Sequence, residues 1–398
     1  MSQNSQTSNS NDPNTQIPEK GLHIWSSFRN KNYRYFWSFG SISYINRWLE
    51  ITAVSWLVLE LTNSPLLMGL VGIFRWLPML LIGPITGTIA DRLNRKYLLM
   101  TTLMINCITS AGLAYLIFLS SIQVWHLALG TAIVGLTWSL DYPSRRPLLM
   151  DIAGEQKLVN AIALDSGSMT GSKIIGPIAA GILIGSFGVG WAYLLIFILY
   201  AVSIGFLGKV HIISQNTPKT GPILANAIQG IKYSIKTPAI AKVLLITVVM
   251  NILLFPYVQF IPAVAKNVLA VGPSLMGVLM SADGIGSLIG ALIMASLQIH
   301  TNLYGKIFII GTMIGLAFLC VFSLSGNFAL SFGFLMLMGI GLSGFGTMQS
   351  LIILVSSSPN MRGRAMGILG LAIGMQPFGL ILIGYLAEMS GPSFAILI

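Results

Sequence analysis

The chain has 398 residues, of which 55% are hydrophobic and only 8% charged, with 22 Lys and Arg against 11 Asp and Glu. A water-soluble domain carries roughly a quarter of its residues charged, and the mean hydropathy of +0.81 points the same way. A soluble enzyme, a nucleic-acid binder and a disordered protein are excluded; an all-α membrane protein remains, because the apolar runs are of helix rather than barrel-strand length.

Residues 1–27 open with a Ser/Asn/Gln-rich stretch that has little to bury, read as a disordered cytoplasmic tail. No apolar core follows Met1, which argues against a cleaved signal peptide. Apolar stretches of about 20 residues then recur, each able to cross about 30 Å of hydrocarbon as a helix. The predicted spans are 35–60, 66–90, 98–120, 123–143, 159–185, 190–210, 238–265, 273–298, 306–325, 328–355 and 365–388. Gly391 to Ile398 reads as the opening of an incomplete twelfth. The expected organisation is a six-helix bundle at 28–212, a cytoplasmic linker with a short interfacial helix at 213–237, and a second bundle at 238–398. Two matched halves joined this way are a common layout of secondary carriers.

The basic residues set the orientation. Eighteen of the 22 Lys and Arg fall before the first span or around the connections after the second, fourth, sixth, eighth and tenth. Lys266 falls on the other side, and Arg47, Arg75 and Lys173 lie inside predicted spans. The expectation is a plasma-membrane protein with a cytoplasmic N-terminus, its basic excess facing anionic lipid rather than nucleic acid.

The second connection carries Gly83, Gly87, Asp91, Arg92, Asn94, Arg95 and Lys96. The two glycines form a small-xxx-small face suited to close helix contact. Asp91 sits beside a tight basic turn where it can pair with Arg95, and Asn94 suits a left-handed turn position. This loop resembles the signature between the second and third helices of the major facilitator superfamily, with Asn94 where that pattern has Gly. Phe28 to Trp37, Leu61 to Pro65, Pro143 to Leu149, Lys173 to Pro177 and Arg362 to Gly367 resemble segments of its enterobactin-exporter and macrolide-efflux branch. The resemblance covers residues 28–398. It implies two pseudo-symmetric six-helix bundles, alternating access, a cytoplasmic latch of Asp91 against Arg362 and Arg364, and a monomer. The Gly176-Pro177 pair reads as a helix kink.

A charge near the bilayer centre costs roughly 2.5–3.5 kcal/mol, so those in or near the spans are candidates. They are Arg47, Glu50, Arg75, Asp141, Asp165, Lys173 and Asp283. Arg47 and Glu50 are three apart and share a helix face, either as a protonatable acid beside a cation or as a self-neutralising pair. Arg75 reads as a buried partner for Glu50 or a brace. Asp165 and Lys173, eight apart, face similarly; Asp165 is a proton-coupling candidate, a solvated acid or a partner for Arg145. Asp283 has no partner in its own helix and reads as a proton carrier or as a partner for Lys173. Asp141 is placed at the inner end of the fourth span, as a gate or interface residue. Trp48, Asn251, Gln259, Gln349 and Gln376 are candidate cavity lining.

No Walker loop, metal-ligand pairing or nucleophile–His–acid set occurs, so no enzyme, cofactor or metal is expected. The function expected is proton-coupled efflux of amphipathic small molecules of drug, macrolide or siderophore type. An importer of a metabolite, a lipid mover of the same fold and a non-transporting sensor are the alternatives.

Overall fold

The computed structural model describes residues 26–154, 157–211, 223–297, 299–358 and 361–398. The tail at 1–25 and the linker stretch 212–222 lie outside the described residues, as do the side chains of Asp91 and Arg92 and the surroundings of Gly87. The proposed latch of Asp91 against Arg362 and Arg364 therefore lies outside them too.

The described residues form helices and connections. The first bundle holds α1 (Lys31–Thr62), α2 (Pro65–Arg92), α3 (Arg95–Phe118), α4 (Val124–Ala153), α5 (Leu158–Phe187) and α6 (Val189–Gly208). A short α7 (Ile223–Lys236) follows. The second bundle holds α8 (Pro238–Leu253), α9 (Tyr257–Asn267), α10 (Pro273–Ser296), α11 (Tyr304–Ser323), α12 (Phe328–Ser356), α13 (Arg362–Ile373), α14 (Gln376–Ser390) and α15 (Pro392–Leu397). Among the described residues nine spans pass on length and hydropathy alone, with α8–α9 and α13–α14 each counting as one. The other two long helices, α1 and α4, have 32 and 30 residues but carry buried charges that lower their mean hydropathy.

Local chemistry sets the ends. Asn30, Asn94 and Asn327 cap α1, α3 and α12, each side chain accepting from two backbone N–H groups. Asn94 does so with φ −65°, so it is an extended N-cap and not the left-handed residue expected. Proline is the first residue of α2, α8, α10 and α15 and the second of α14, where its missing N–H costs nothing. The expected end of the fourth span at 143 is wrong: α4 continues through Pro143 and Pro147 to Ala153. Membrane helices tolerate such prolines because neighbours re-satisfy the freed carbonyls.

Burial is inverted relative to a soluble protein. Large apolar side chains such as Leu81, Ile108, Tyr115, Leu245 and Leu292 face outward, while Glu50, Arg75, Asp141, Arg145, Asp165 and Asp283 are buried. Lipid solvates the first set; only the bundle interior can pair the second.

The halves meet along two seams, α5 with α10 and α2 with α14. Small residues permit the approach: a methyl at Gly181 would sit 2.6 Å from the Pro273 carbonyl oxygen, and one at Gly69 2.6 Å from that of Leu380. Both contacts lie toward the end away from the basic connections, here called the far end. There Glu388 of α14 also accepts from the Ser64 hydroxyl at 2.7 Å and the Leu66 N–H at 3.1 Å. A carboxylate from one half thus caps the N-terminus of α2 in the other. Lys266 reaches Asn63 at 3.3 Å beside it.

Candidate functional site: buried charges and the seam between halves

In the middle of the first bundle the Arg75 guanidinium meets Glu50 at 2.5 Å, both side chains 5% exposed. Arg47 and Glu50, expected to act as a local pair, diverge. Arg47 lies over Trp138 at 3.5 Å from the ring centroid and over Trp76 at 5.4 Å. Its Nη1 has no hydrogen-bond partner among the described residues.

One turn toward the basic end, Arg145 donates to both carboxylate oxygens of Asp141 four residues earlier. Asp141 is mid-helix rather than at an inner end, because α4 is longer than expected. Arg145, counted in a connection from sequence, is 4% exposed. Its guanidinium covers the rings of Phe39 and Tyr44. Gly40 leaves room for it: a methyl there would lie 2.9 Å from Nη1. Asp165 is buried, not solvated, and accepts from the Tyr44 hydroxyl at 3.2 Å. Asp165, Tyr44, Arg145 and Asp141 form one cluster joining α1, α4 and α5, an arrangement unfavourable in lipid unless each charge is matched.

Lys173 does not turn toward Asp165. It crosses the seam to Asp283 at 3.3 Å, with Asp283 8% exposed. Ser287 donates to the other oxygen of Asp283 at 3.1 Å, and Lys173 Nζ lies 5.6 Å from the Trp48 ring centroid. Gly176 seats α5 on α1, since a methyl there would fall 2.5 Å from the Trp48 Cβ. α5 runs unbroken through Pro177. The ion pair joins the halves at about mid-helix, on the same seam as the Gly181 contact.

The polar candidates of the second half serve its two interrupted helices. The chain breaks between α8 and α9 and between α13 and α14, and Gln376 at the second break donates to the Phe255 carbonyl at the first, at 3.4 Å. Interrupted helices of this kind mark the binding region of many carriers. Gln259 crosses the other seam to the Met68 carbonyl at 3.3 Å. Gln349 donates to Thr247 at 2.6 Å, and Asn251 to the Thr247 carbonyl at 2.9 Å. These groups are engaged in packing rather than left on an open wall.

The signature loop departs from expectation where it is described. Among the described residues Gly83 has no close neighbour in another helix; a methyl there would meet Met79 Cγ at 3.8 Å. Arg95 donates to Asp151 of α4 at 3.3 Å, and Lys96 to the Gly208 and Val210 carbonyls that end α6. Arg364 donates to Gln229 of α7 at 2.6 Å, docking that helix on the second bundle. Sequence reasoning missed Tyr44, Glu388 and Ser64. Glu388 carries no local signal, because its partners are more than 300 residues away.

The family model described as "Transmembrane secretion effector" matches residues 23–398. The staphyloferrin A transporter of Staphylococcus aureus is 20% identical, over 90% of each chain. The multidrug efflux pump Tap of Mycolicibacterium fortuitum is 23% identical, over 86% of each. Among solved structures, the nucleoside transporter NupG aligns with TM-score 0.72 at 14% identity, over 92% of this chain and 95% of that one. A bacterial Spinster homologue, inward-facing and unoccupied, aligns with TM-score 0.70 at 16% identity, over 90% and 83%. With an inverted apolar exterior, two packed helix bundles and a match spanning nearly the whole sequence, the chain belongs to the transmembrane secretion effector family of major facilitator superfamily transporters.

Proposed function

We propose that the protein exports amphipathic small molecules in exchange for protons, its N-terminus and basic connections in the cytoplasm, and that Asp283 is the coupling carboxylate. The observation that carries this is the Lys173–Asp283 pair across the α5–α10 seam. The halves of an alternating-access carrier must part along such seams. A charged pair at mid-membrane depth resists parting, because each separated ion would be left unpaired in a poorly solvated site. A proton on Asp283 removes the negative partner and relieves that resistance. A substrate seated against Trp48 and Lys173 does the same by giving Lys173 another neighbour. The empty, unprotonated carrier stays put and loaded forms cross, which is the requirement of an exchanger. Glu50 is the weaker candidate: its partner Arg75 lies in the same half, so its protonation does not bear directly on the seam. Asp165, shared between Tyr44 and Arg145, belongs with the structural cluster. The drug-efflux relative Tap supports the direction and the substrate class.

The test is transport in sealed vesicles under an imposed pH gradient, where one pH unit supplies about 1.4 kcal/mol per proton. The wild type accumulates a fluorescent amphipathic dye against its gradient. Asp283→Asn, which resembles the protonated state, loses accumulation and retains downhill flux. Undiminished accumulation in that variant refutes the assignment.

A further inference from the structure

The first bundle holds a small, half-open cavity beside an arginine that has no ion-pair partner among the described residues. Arg47, Arg75 and Arg145 border it. Asp141 borders it with them and pairs with Arg145, Glu50 pairs with Arg75, and Asp165 also faces Arg145 beside Gly40. Among the described residues Arg47 is the one arginine of the three with no carboxylate in ion-pair contact. Trp138 and Trp76 hold its charge through their ring faces, which accept nothing in the plane of its N–H groups. Its buried Nη1 has no hydrogen-bond partner among the described residues.

The rest of the wall is rich in donors. The Thr137 hydroxyl lies 2.8 Å from the Asn106 side-chain amide and 2.9 Å from the Val134 carbonyl, and Asn106 borders the cavity with an amide able to donate. The Tyr200 hydroxyl borders the same space. Ser43 and Thr102 direct their own protons to the Phe39 and Leu99 carbonyls. The volume, about 30 Å³, admits a single ion or a group of that size.

We propose that this cavity binds one small monovalent anion, a halide or a single carboxylate group, held by Arg47 with Asn106 and Tyr200. Such an anion supplies the acceptor that Arg47 lacks.

The probes are chloride, bromide and acetate, each titrated into purified full-length protein in detergent with gluconate, too large for the cavity, holding ionic strength constant. Melting temperature and tryptophan emission are read together, Trp76 and Trp138 being in contact with Arg47. A site gives a saturable rise in melting temperature with a matching change in emission. Both vanish in Arg47→Gln, and Asn106→Ala weakens binding about tenfold, the effect of losing about 1.4 kcal/mol. Asn106→Ala leaves Arg47 on its two tryptophans, so its weakened binding separates a lost site from a lost fold. Response to chloride and bromide alone assigns the site to halide; response to acetate alone assigns it to a carboxylate. A flat response to all three up to about 0.15 M, or one preserved in Arg47→Gln, overturns the proposal and leaves a cavity that holds water only.

Discussion

At the scale of single residues, the energetics turn on which buried charge meets which. Arg75 and Glu50 lie 25 positions apart, so no helical spacing announces their pairing, whereas Arg47 and Glu50 advertise a pair that does not form. Two tryptophans draw Arg47 away, and aromatic faces leave no periodic mark in a sequence already rich in them. The Arg145–Asp141 pair was within reach, being four apart on one helix, but two prolines made α4 look finished before Arg145. Removing one partner of a buried pair strands the other, at about 3–5 kcal/mol. Glu50→Gln is therefore expected to lower the melting temperature sharply, and Glu50→Gln with Arg75→Met to recover most of the loss. A double variant no more stable than the single would show that the pair contributes nothing specific.

At the scale of elements, the sequence was most legible where physics is one-dimensional. Apolar length alone located the helices to within a few residues, the end of α4 excepted, because lipid requires closed backbone hydrogen bonding over its whole thickness. The seams were not legible. Gly181 and Gly277 face each other across α5 and α10, yet nothing distinguishes them from other glycines in the chain until the helices are placed. The interruption between α8 and α9 sits at Pro256, but its docking against the break before Gln376 is a tertiary event. Gly181→Leu places a side chain where even a methyl would lie 2.6 Å from the Pro273 carbonyl oxygen. The expected result is normal membrane insertion with transport abolished, read by surface labelling and dye efflux on the same cells. Efflux at the wild-type rate would mean that the seam does not govern the cycle.

At the scale of the whole molecule, the inverted burial and the one-sided basic connections describe the same object from two directions. The proposed orientation rests on the charge bias: single cysteines at Arg95 and Lys236 are expected to resist a membrane-impermeant maleimide in intact cells, and one at Lys266 to react. Labelling of the first two from outside would reverse the assignment. The account rests above all on Asp283 governing whether the halves part, and this is measured as a distance. Spin labels on cysteines at the exposed Leu70 and Met389 report the gap between α2 and α14 toward the far end. In an otherwise wild-type background the gap is expected to be short at neutral pH and to widen on acidification, as a proton frees Lys173 from Asp283; with Asp283→Asn it no longer depends on pH. A wild-type distance indifferent to pH, or one that still widens on acidification with Asp283→Asn, would contradict the account.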